Sequence, residues 1–110
     1  MKPFEIYNWH PPEWDKPHPA VIVSSAARAG GKDMVEVVMC TSQRASRPPA
    51  ADEIVLNGAD GLDWPTLCKC GLIYAVPRED LKSRRGMVSP ARQRQLVRTI
   101  MAAHGWASVL

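Results

Sequence analysis

Apolar residues recur with the spacing of β-strands through most of the chain, and with helical spacing only near its C-terminal end. Runs that alternate or are continuously apolar predict a set of short strands. These strands are predicted at 4–9, 20–24, 34–41, 53–56, 67–70 and 72–76. Gly71 separates the last two, and a glycine inside a strand indicates a bulge or a close backbone approach.

Proline, glycine and polar residues fill the connections between these runs. A proline-rich loop is predicted over 10–19 and a polar, basic loop over 42–52. The segment 26–33 contains a Gly-Gly pair and is predicted to be a turn or short hairpin loop. Turns are predicted over 57–63, and a single helical turn over 77–81.

One helix is predicted near the C-terminal end. Ser89 is a good N-cap, Pro90 suits the first helical position, and Gly105 provides a stop. Between them, one face is shared at helical spacing by Gln93, Leu96, Val97, Ile100, Met101 and His104. The chain is therefore predicted to be one mainly β domain over 1–110, a small bent antiparallel sheet or barrel closed on one side by a C-terminal α-helix.

The segment Asp15–Ser25 combines this pattern with candidate chemistry. Pro17 and Pro19 favour an extended backbone around His18, because a residue that precedes proline avoids the helical region. The apolar run that follows is typical of a strand buried on both faces. Polar groups on a loop held by a rigid strand are a common basis for a functional site, so His18 and the neighbouring Lys16 become candidates.

The charge distribution adds a candidate partner. The net charge is +3, but residues 1–80 carry 8 basic and 11 acidic side chains, whereas residues from 81 onward carry six basic ones and no acid. Such a one-signed segment indicates either an anionic partner, nucleic acid or an acidic protein segment, or a solvated helix face. No apolar run approaches the roughly 20 residues that cross a bilayer, and the start lacks a signal-peptide pattern, so a cytoplasmic protein without a membrane association is expected.

Three cysteines, Cys40, Cys68 and Cys70, make neither a disulfide framework nor a zinc pattern. Cys68 and Cys70 are two residues apart on a predicted strand and should face the same side. Reduced thiols in the core are therefore expected, with no metal and no cofactor.

Several segments, taken in order, resemble the PemK/MazF-like family of toxin endoribonucleases from type II toxin–antitoxin pairs. The matching segments are F-E-I-Y-N-W (4–9), H-P-A-V-I-V-S-S (18–25), V-V-M-C-T-S (37–42), E-I-V-L-N (53–57), G-L-D-W-P-T-L-C-K-C (61–70), L-I-Y-A-V (72–76) and G-M-V-S (86–89). The resemblance implies an SH3-like barrel with a C-terminal helix. It also implies a homodimer that cuts single-stranded RNA without a metal and is neutralised by an antitoxin with an acidic tail.

The same resemblance implies a site. His18 stands where the family often has an arginine, and Thr41 matches the family's threonine. Lys69 and Gly71 stand where several members have an arginine and then an aspartate. Metal-free RNA cleavage needs a base, an acid and a cation for the phosphate charge. His18 suits the first or second task because histidine titrates near neutrality.

The predicted catalytic residues are therefore His18, Thr41 and Lys69, and the predicted RNA-binding residues are Lys16, Ser42, Arg44 and Arg47. Tryptophans are a further candidate, as surfaces on which unpaired bases stack. Each assignment has a structural alternative: a packed loop histidine, a threonine that ends its strand, a solvated lysine, and tryptophans in the core or at a dimer surface. Together these alternatives describe a second function, a catalytically inactive family member that binds a peptide or nucleic acid.

Overall fold

The computed structural model describes residues 1–110 and contains one six-stranded antiparallel sheet. The strands are β1 (Glu5–Trp9), β2 (His18–Ile22), β3 (Met34–Cys40), β4 (Glu53–Leu56), β5 (Thr66–Pro77) and β6 (Leu81–Met87). The helices are α1 (Ala26–Gly31) and α2 (Pro90–Ala103), and short 3₁₀ turns lie at Gly58–Asp60, Arg78–Asp80 and Trp106–Val109. The predicted fold class, mainly β with one long C-terminal helix, is confirmed. None of the helices has both the length and the apolar character that crossing a membrane requires.

The sheet is bent and open rather than closed by hydrogen bonds. Its strand order is β4-β5-β3-β2-β1-β6, which leaves β4 and β6 as edges. The pairing of β3 with β5 shifts between Val37↔Tyr74 and Met39↔Lys69, so that extra β5 residues are accommodated. A second shift lies between β1 and β6, and irregularities of this kind bend a strand. Gly71 lies within the irregular stretch of β5, as its position in the sequence predicted.

The two sheet edges are brought together by the turn that follows β4. A Cβ atom added to Gly86 in β6 would overlap the Asp60 carbonyl oxygen and lie 2.9 Å from the Gly61 Cα. Asp60 is itself buried, and its carboxylate accepts from the Ser89 backbone N–H at 2.8 Å and from Arg92 at 2.6 Å. The turn after β4 thus contacts both β6 and the beginning of α2. These contacts join the two edges of the sheet, which no strand ladder connects.

Alternate residues of β1, β2 and β3 enter two apolar clusters on opposite faces of the sheet. The first lies under α2 and contains Ile6, Val21, Val38, Cys40, Ile54, Leu56, Leu62, Cys68, Cys70, Val88, Leu96 and Ile100. The second contains Trp9, Ala20, Ile22, Ala29, Val35, Val37, Met39, Val76 and Leu81. The three cysteines are free and buried in the first cluster, which confirms the prediction of reduced core thiols.

Three elements differ from the sequence prediction, and the first is that the two strands predicted at 67–70 and 72–76 form the single strand β5 (Thr66–Pro77). The segment predicted as a turn or hairpin loop over 26–33 contains the helix α1, because the Ser25 side chain caps it by accepting from the Arg28 backbone N–H at 3.3 Å. Strand β6 was missed, because its residues Lys82–Arg85 are all polar and an exposed edge strand needs no apolar alternation. The missed strand bears on the site, since β6 carries Arg85, which lines one of the cavities described below.

Candidate functional site

His18 is the first residue of β2, and one nitrogen of its ring is held by a hydrogen bond while the other is free. Its Nδ1 lies 3.1 Å from the Cys40 carbonyl oxygen. A carbonyl only accepts, so Nδ1 carries the proton, and in the neutral ring Nε2 keeps its lone pair. Nε2 has no hydrogen-bond partner within the chain. The geometry therefore presents a ring nitrogen that can accept a proton from a bound molecule.

Aromatic side chains hold this ring in place. Trp14 packs edge-on against His18 with ring centroids 4.5 Å apart, and contacts Trp9 at 5.7 Å. Tyr74 packs against Trp9 at 5.0 Å. Of the tryptophans considered for base stacking, Trp9 is buried in the core and Trp14 supports His18. Trp64, which is 38% exposed, remains available to a flat ligand.

Thr41 lies beside His18 at the end of β3. Because Ala20 pairs with Met39 and Val21 with Val38, continuing the register places Thr41 opposite His18. The Thr41 hydroxyl accepts from the Leu67 backbone N–H at 3.2 Å and donates to the Gln43 carbonyl at 3.2 Å. These bonds hold the end of β3 to β5, so the structural role considered for Thr41 is present, and one acceptor position on its oxygen remains.

Two adjoining surface cavities receive these side chains. The first, which we call the His18 hollow, has a volume of about 530 Å³ and is lined by Glu13, Trp14, Asp15, Lys16, His18, Ser42 and Gln43. The second, which we call the Arg85 cleft, has a volume of about 250 Å³. Its lining residues are Asn8, Lys16, Pro17, Pro19, Thr41, Ser42, Leu62, Asp63, Trp64, Thr66 and Arg85. Lys16 and Ser42 line both cavities, so the two adjoin.

Arg85, Asn8 and Thr66 in this cleft were missed by the sequence reasoning. Arg85 is one of the six basic residues of the acid-free segment, which is the only signal the sequence offered. The Arg85 side chain reaches the cleft because Arg85 lies in β6, a strand that the hydrophobic pattern did not indicate. Asn8 and Thr66 lie on predicted strands, but only the observed sheet order brings their side chains to one place.

The predicted residues Lys69 and Arg47 lie together around a different group, the buried carboxylate of Glu53. Arg47 binds it with two hydrogen bonds of 2.7 and 2.9 Å, and Lys69 approaches at 3.3 Å. The Arg47 hydrogen bonds and the Ala50 backbone N–H lower the pKa of Glu53 to about 2, so the carboxylate is ionised at neutral pH. Neither cation lines the two cavities.

The remaining predicted residues fall into those that lie at the two cavities and one that does not. The structure brings together His18, Thr41, Lys16 and Ser42, whereas Arg44 is exposed, forms no hydrogen bond or ion pair, and lines neither cavity. Two further histidines lie elsewhere: His10 contacts the Trp14 carbonyl at 2.7 Å, and His104 contacts the Cys70 carbonyl at 3.1 Å. No group of three or more His, Cys, Asp or Glu side chains is arranged to hold a metal ion.

A family model described as the PemK-like, MazF-like toxin of type II toxin–antitoxin systems matches residues 3–104. This protein therefore belongs to the class of toxins from type II toxin–antitoxin systems. Because the match spans nearly the full length, the chain belongs to the PemK/MazF-like toxin family. No curated protein sequence matches the chain.

Solved structures of the same family share the fold. An endoribonuclease in complex with its cognate antitoxin, from a mycobacterial species, has a TM-score of 0.82 at 20% identity over 96% of this chain and 95% of that one. Mycobacterium tuberculosis toxin MazF-mt6 has a TM-score of 0.77 at 21% identity over 92% and 96% of the two chains. A MazE-MazF structure from Deinococcus radiodurans has 0.72 at 12% identity over 96% and 95%.

Proposed function

We propose that this toxin-family chain cleaves single-stranded RNA without a metal ion, and that His18 is the base of the reaction. The observation that carries the proposal is the free Nε2 of His18, a residue that lines a hollow together with an ammonium group, Lys16, and a hydroxyl, Ser42, beside the carboxylates of Glu13 and Asp15. In addition, the mycobacterial structures with this fold are described as endoribonucleases.

The proposed chemistry uses the RNA's own 2′-hydroxyl as nucleophile. Nε2 of His18 takes the hydroxyl proton, the 2′-oxygen bonds to the neighbouring phosphorus, and the bond from phosphorus to the 5′-oxygen breaks. The leaving 5′-oxygen takes a proton from a water molecule in the open hollow and becomes a 5′-hydroxyl end, and the other fragment keeps the phosphate as a 2′,3′-cyclic ester. Lys16 would balance the negative charge that develops on the phosphate, and the Ser42 hydroxyl would donate to one of its oxygens. The Thr41 hydroxyl would do the same by giving up its hydrogen bond to the Gln43 carbonyl.

Three other predicted residues lie outside the two cavities and are not assigned to the reacting phosphate: Lys69, Arg44 and Arg47. Lys69 and Arg47 are occupied by Glu53, so their contact with RNA requires the strand to compete for that carboxylate. Arg44 is exposed on the loop next to Ser42 and can follow the phosphate backbone.

The test is an incubation of the purified protein with unstructured single-stranded RNA and excess chelator. We expect fragments with 5′-hydroxyl ends, detected because a polynucleotide kinase labels them without prior phosphatase treatment. DNA of the same sequence should stay intact because it lacks the 2′-hydroxyl. If no RNA is cut under any condition and expression does not arrest growth, the proposal is wrong.

That outcome would favour the second candidate, an inactive member that binds a peptide or nucleic acid. One observation supports this alternative: a Cβ atom at Gly71 would lie 2.8 Å from Asp52 Oδ2. Position 71 therefore carries no carboxylate of its own, and the carboxylate of Asp52, from the loop before β4, lies over it instead.

We further propose that the chain, a single domain over 1–110, forms a cytoplasmic homodimer and binds an antitoxin with an acidic tail. Exposed apolar side chains support self-association: Leu72 is 58% exposed, and Val97 and Trp106 of the C-terminal region are 41% and 47% exposed. The basic segment after residue 81 suits an acidic tail.

For the dimer, sedimentation equilibrium at micromolar concentration should give about twice the chain mass of 12.2 kDa. A mass equal to that of one chain at this concentration would contradict the dimer, but not the cleavage proposal.

A further inference from the structure

We infer that the Arg85 cleft binds a single phosphate group of an RNA strand, next to the phosphate that is cut at His18. That the phosphate belongs to RNA depends on the function proposed above. The existence of an anion site depends only on the cleft itself.

Arg85 is held in position with most of its donors free. One N–H of its guanidinium donates to the Asn8 side-chain oxygen at 2.9 Å, and another donates to an Asp63 oxygen at 3.1 Å. A guanidinium has five N–H donors, so three remain. Its side chain is only 26% exposed, and a preoriented, partly desolvated arginine is well suited to a forked contact with phosphate oxygens.

The Thr66 hydroxyl in the same cleft lacks a partner. Thr66 is 2% exposed, and its Oγ1 forms no hydrogen bond within the chain. Leaving a buried hydroxyl unpaired costs free energy, so such a group in a cavity wall is available to a polar atom that enters the cleft. A phosphate oxygen can accept its proton.

The charges of the lining residues favour an anion. Lys16 and Arg85 bring two positive charges, and Asp63 brings the one negative charge. The Asp63 side chain is 72% exposed and therefore well solvated. Because Lys16 and Ser42 also line the His18 hollow, a strand that places one phosphate at His18 can place a flanking phosphate in the cleft.

The experiment measures binding of a short single-stranded 2′-O-methyl RNA, which cannot be cut, by fluorescence anisotropy across a range of salt concentrations. For Arg85→Gln we expect about tenfold weaker binding, since a charged hydrogen-bonding contact is lost. The slope of log affinity against log salt should fall by about 0.7, the value of one phosphate contact on a single strand. Arg98→Gln is the matched control, because Arg98 carries the same charge but is exposed on α2, outside the cleft.

Thr66→Val tests the site without a change of charge. We expect about threefold weaker binding from the loss of one neutral hydrogen bond, with unfolding stability unchanged or raised because no buried hydroxyl remains unpaired. Inorganic phosphate, compared with chloride at matched ionic strength, should displace the oligonucleotide from the wild type more effectively than from Arg85→Gln.

The site and the catalytic proposal can fail separately. If Arg85→Gln and Arg98→Gln have equal affinity and equal salt slope, the phosphate site is wrong even if RNA is cleaved. If binding depends on Arg85 but no RNA is cleaved, the site is retained and the catalytic proposal fails.

Discussion

His18→Ala is expected to slow RNA cleavage by about 100-fold to 10,000-fold, the usual contribution of a positioned acid or base. The variant removes the free Nε2 atom and the Nδ1 contact to the Cys40 carbonyl. Because His18 is only partly buried at the beginning of β2, the chain should still fold. The rate is measured as single-turnover cleavage of one RNA in the presence of chelator.

His104→Ala is the matched control for this variant. Its imidazole also contacts a cysteine carbonyl at 3.1 Å, but it lies after α2 and is stacked on Trp106, away from both cavities. Cleavage by this control should stay near the wild-type rate. An undiminished rate in His18→Ala would remove His18 from the mechanism.

Thr41→Ala should also lose most of the activity, since Thr41 both lines the cleft and fixes the end of β3. Thr41→Ser, which keeps the hydroxyl, should recover much of the rate. Failure of serine to recover more than alanine does would contradict a role for the hydroxyl.

Gly86→Ala should lower the free energy of unfolding by about 3 kcal/mol or more, in the range that overpacking against a rigid backbone produces. The added Cβ would overlap the Asp60 carbonyl oxygen and press on the Gly61 Cα. These are backbone atoms, and the Asp60 side chain is already held by Ser89 and Arg92. The turn therefore has little freedom to move away.

Gly31→Ala provides the comparison for this prediction. A Cβ at Gly31 meets nothing within 4 Å, so its effect should stay within about 1 kcal/mol. Urea unfolding followed by tryptophan fluorescence gives both values from the midpoints, provided that the slopes agree. Equal midpoints for the two variants would mean that β6 and the turn after β4 are not packed as described.

Hydrophobic patterning was sufficient for the parts of the fold that bury apolar faces. It placed four of the strands closely, whereas Gly71 located the bulge and the Ser89-Pro90 pair set the beginning of α2. It failed where burial is slight: α1 buries only Ala29, and β6 has a polar sequence on an exposed edge. In both places local capping or pairing with a distant strand decides the structure, and neither leaves a periodic signal.

The candidate site was predictable to the extent that it lies on adjacent strand ends. His18 and Thr41 meet because β2 and β3 are neighbours in both sequence and space. Lys69 was expected to lie beside His18 and Thr41. Instead it is paired with Glu53 across β4 and β5, and its ammonium group contacts the Glu53 carboxylate. The hydrophobic pattern could not predict the position of Arg85, because that position depends on the pairing of β6 with β1.

This pairing has a consequence for synthesis on the ribosome. Strand β1 is made first, yet its outer neighbour β6 ends at Met87, and α2 follows only after that. At translation speeds of about 5–20 residues per second, several seconds separate the emergence of the two partners. Throughout that interval the nascent chain lacks Arg85 and the last sheet edge, so the Arg85 cleft forms only when most of the chain has been translated.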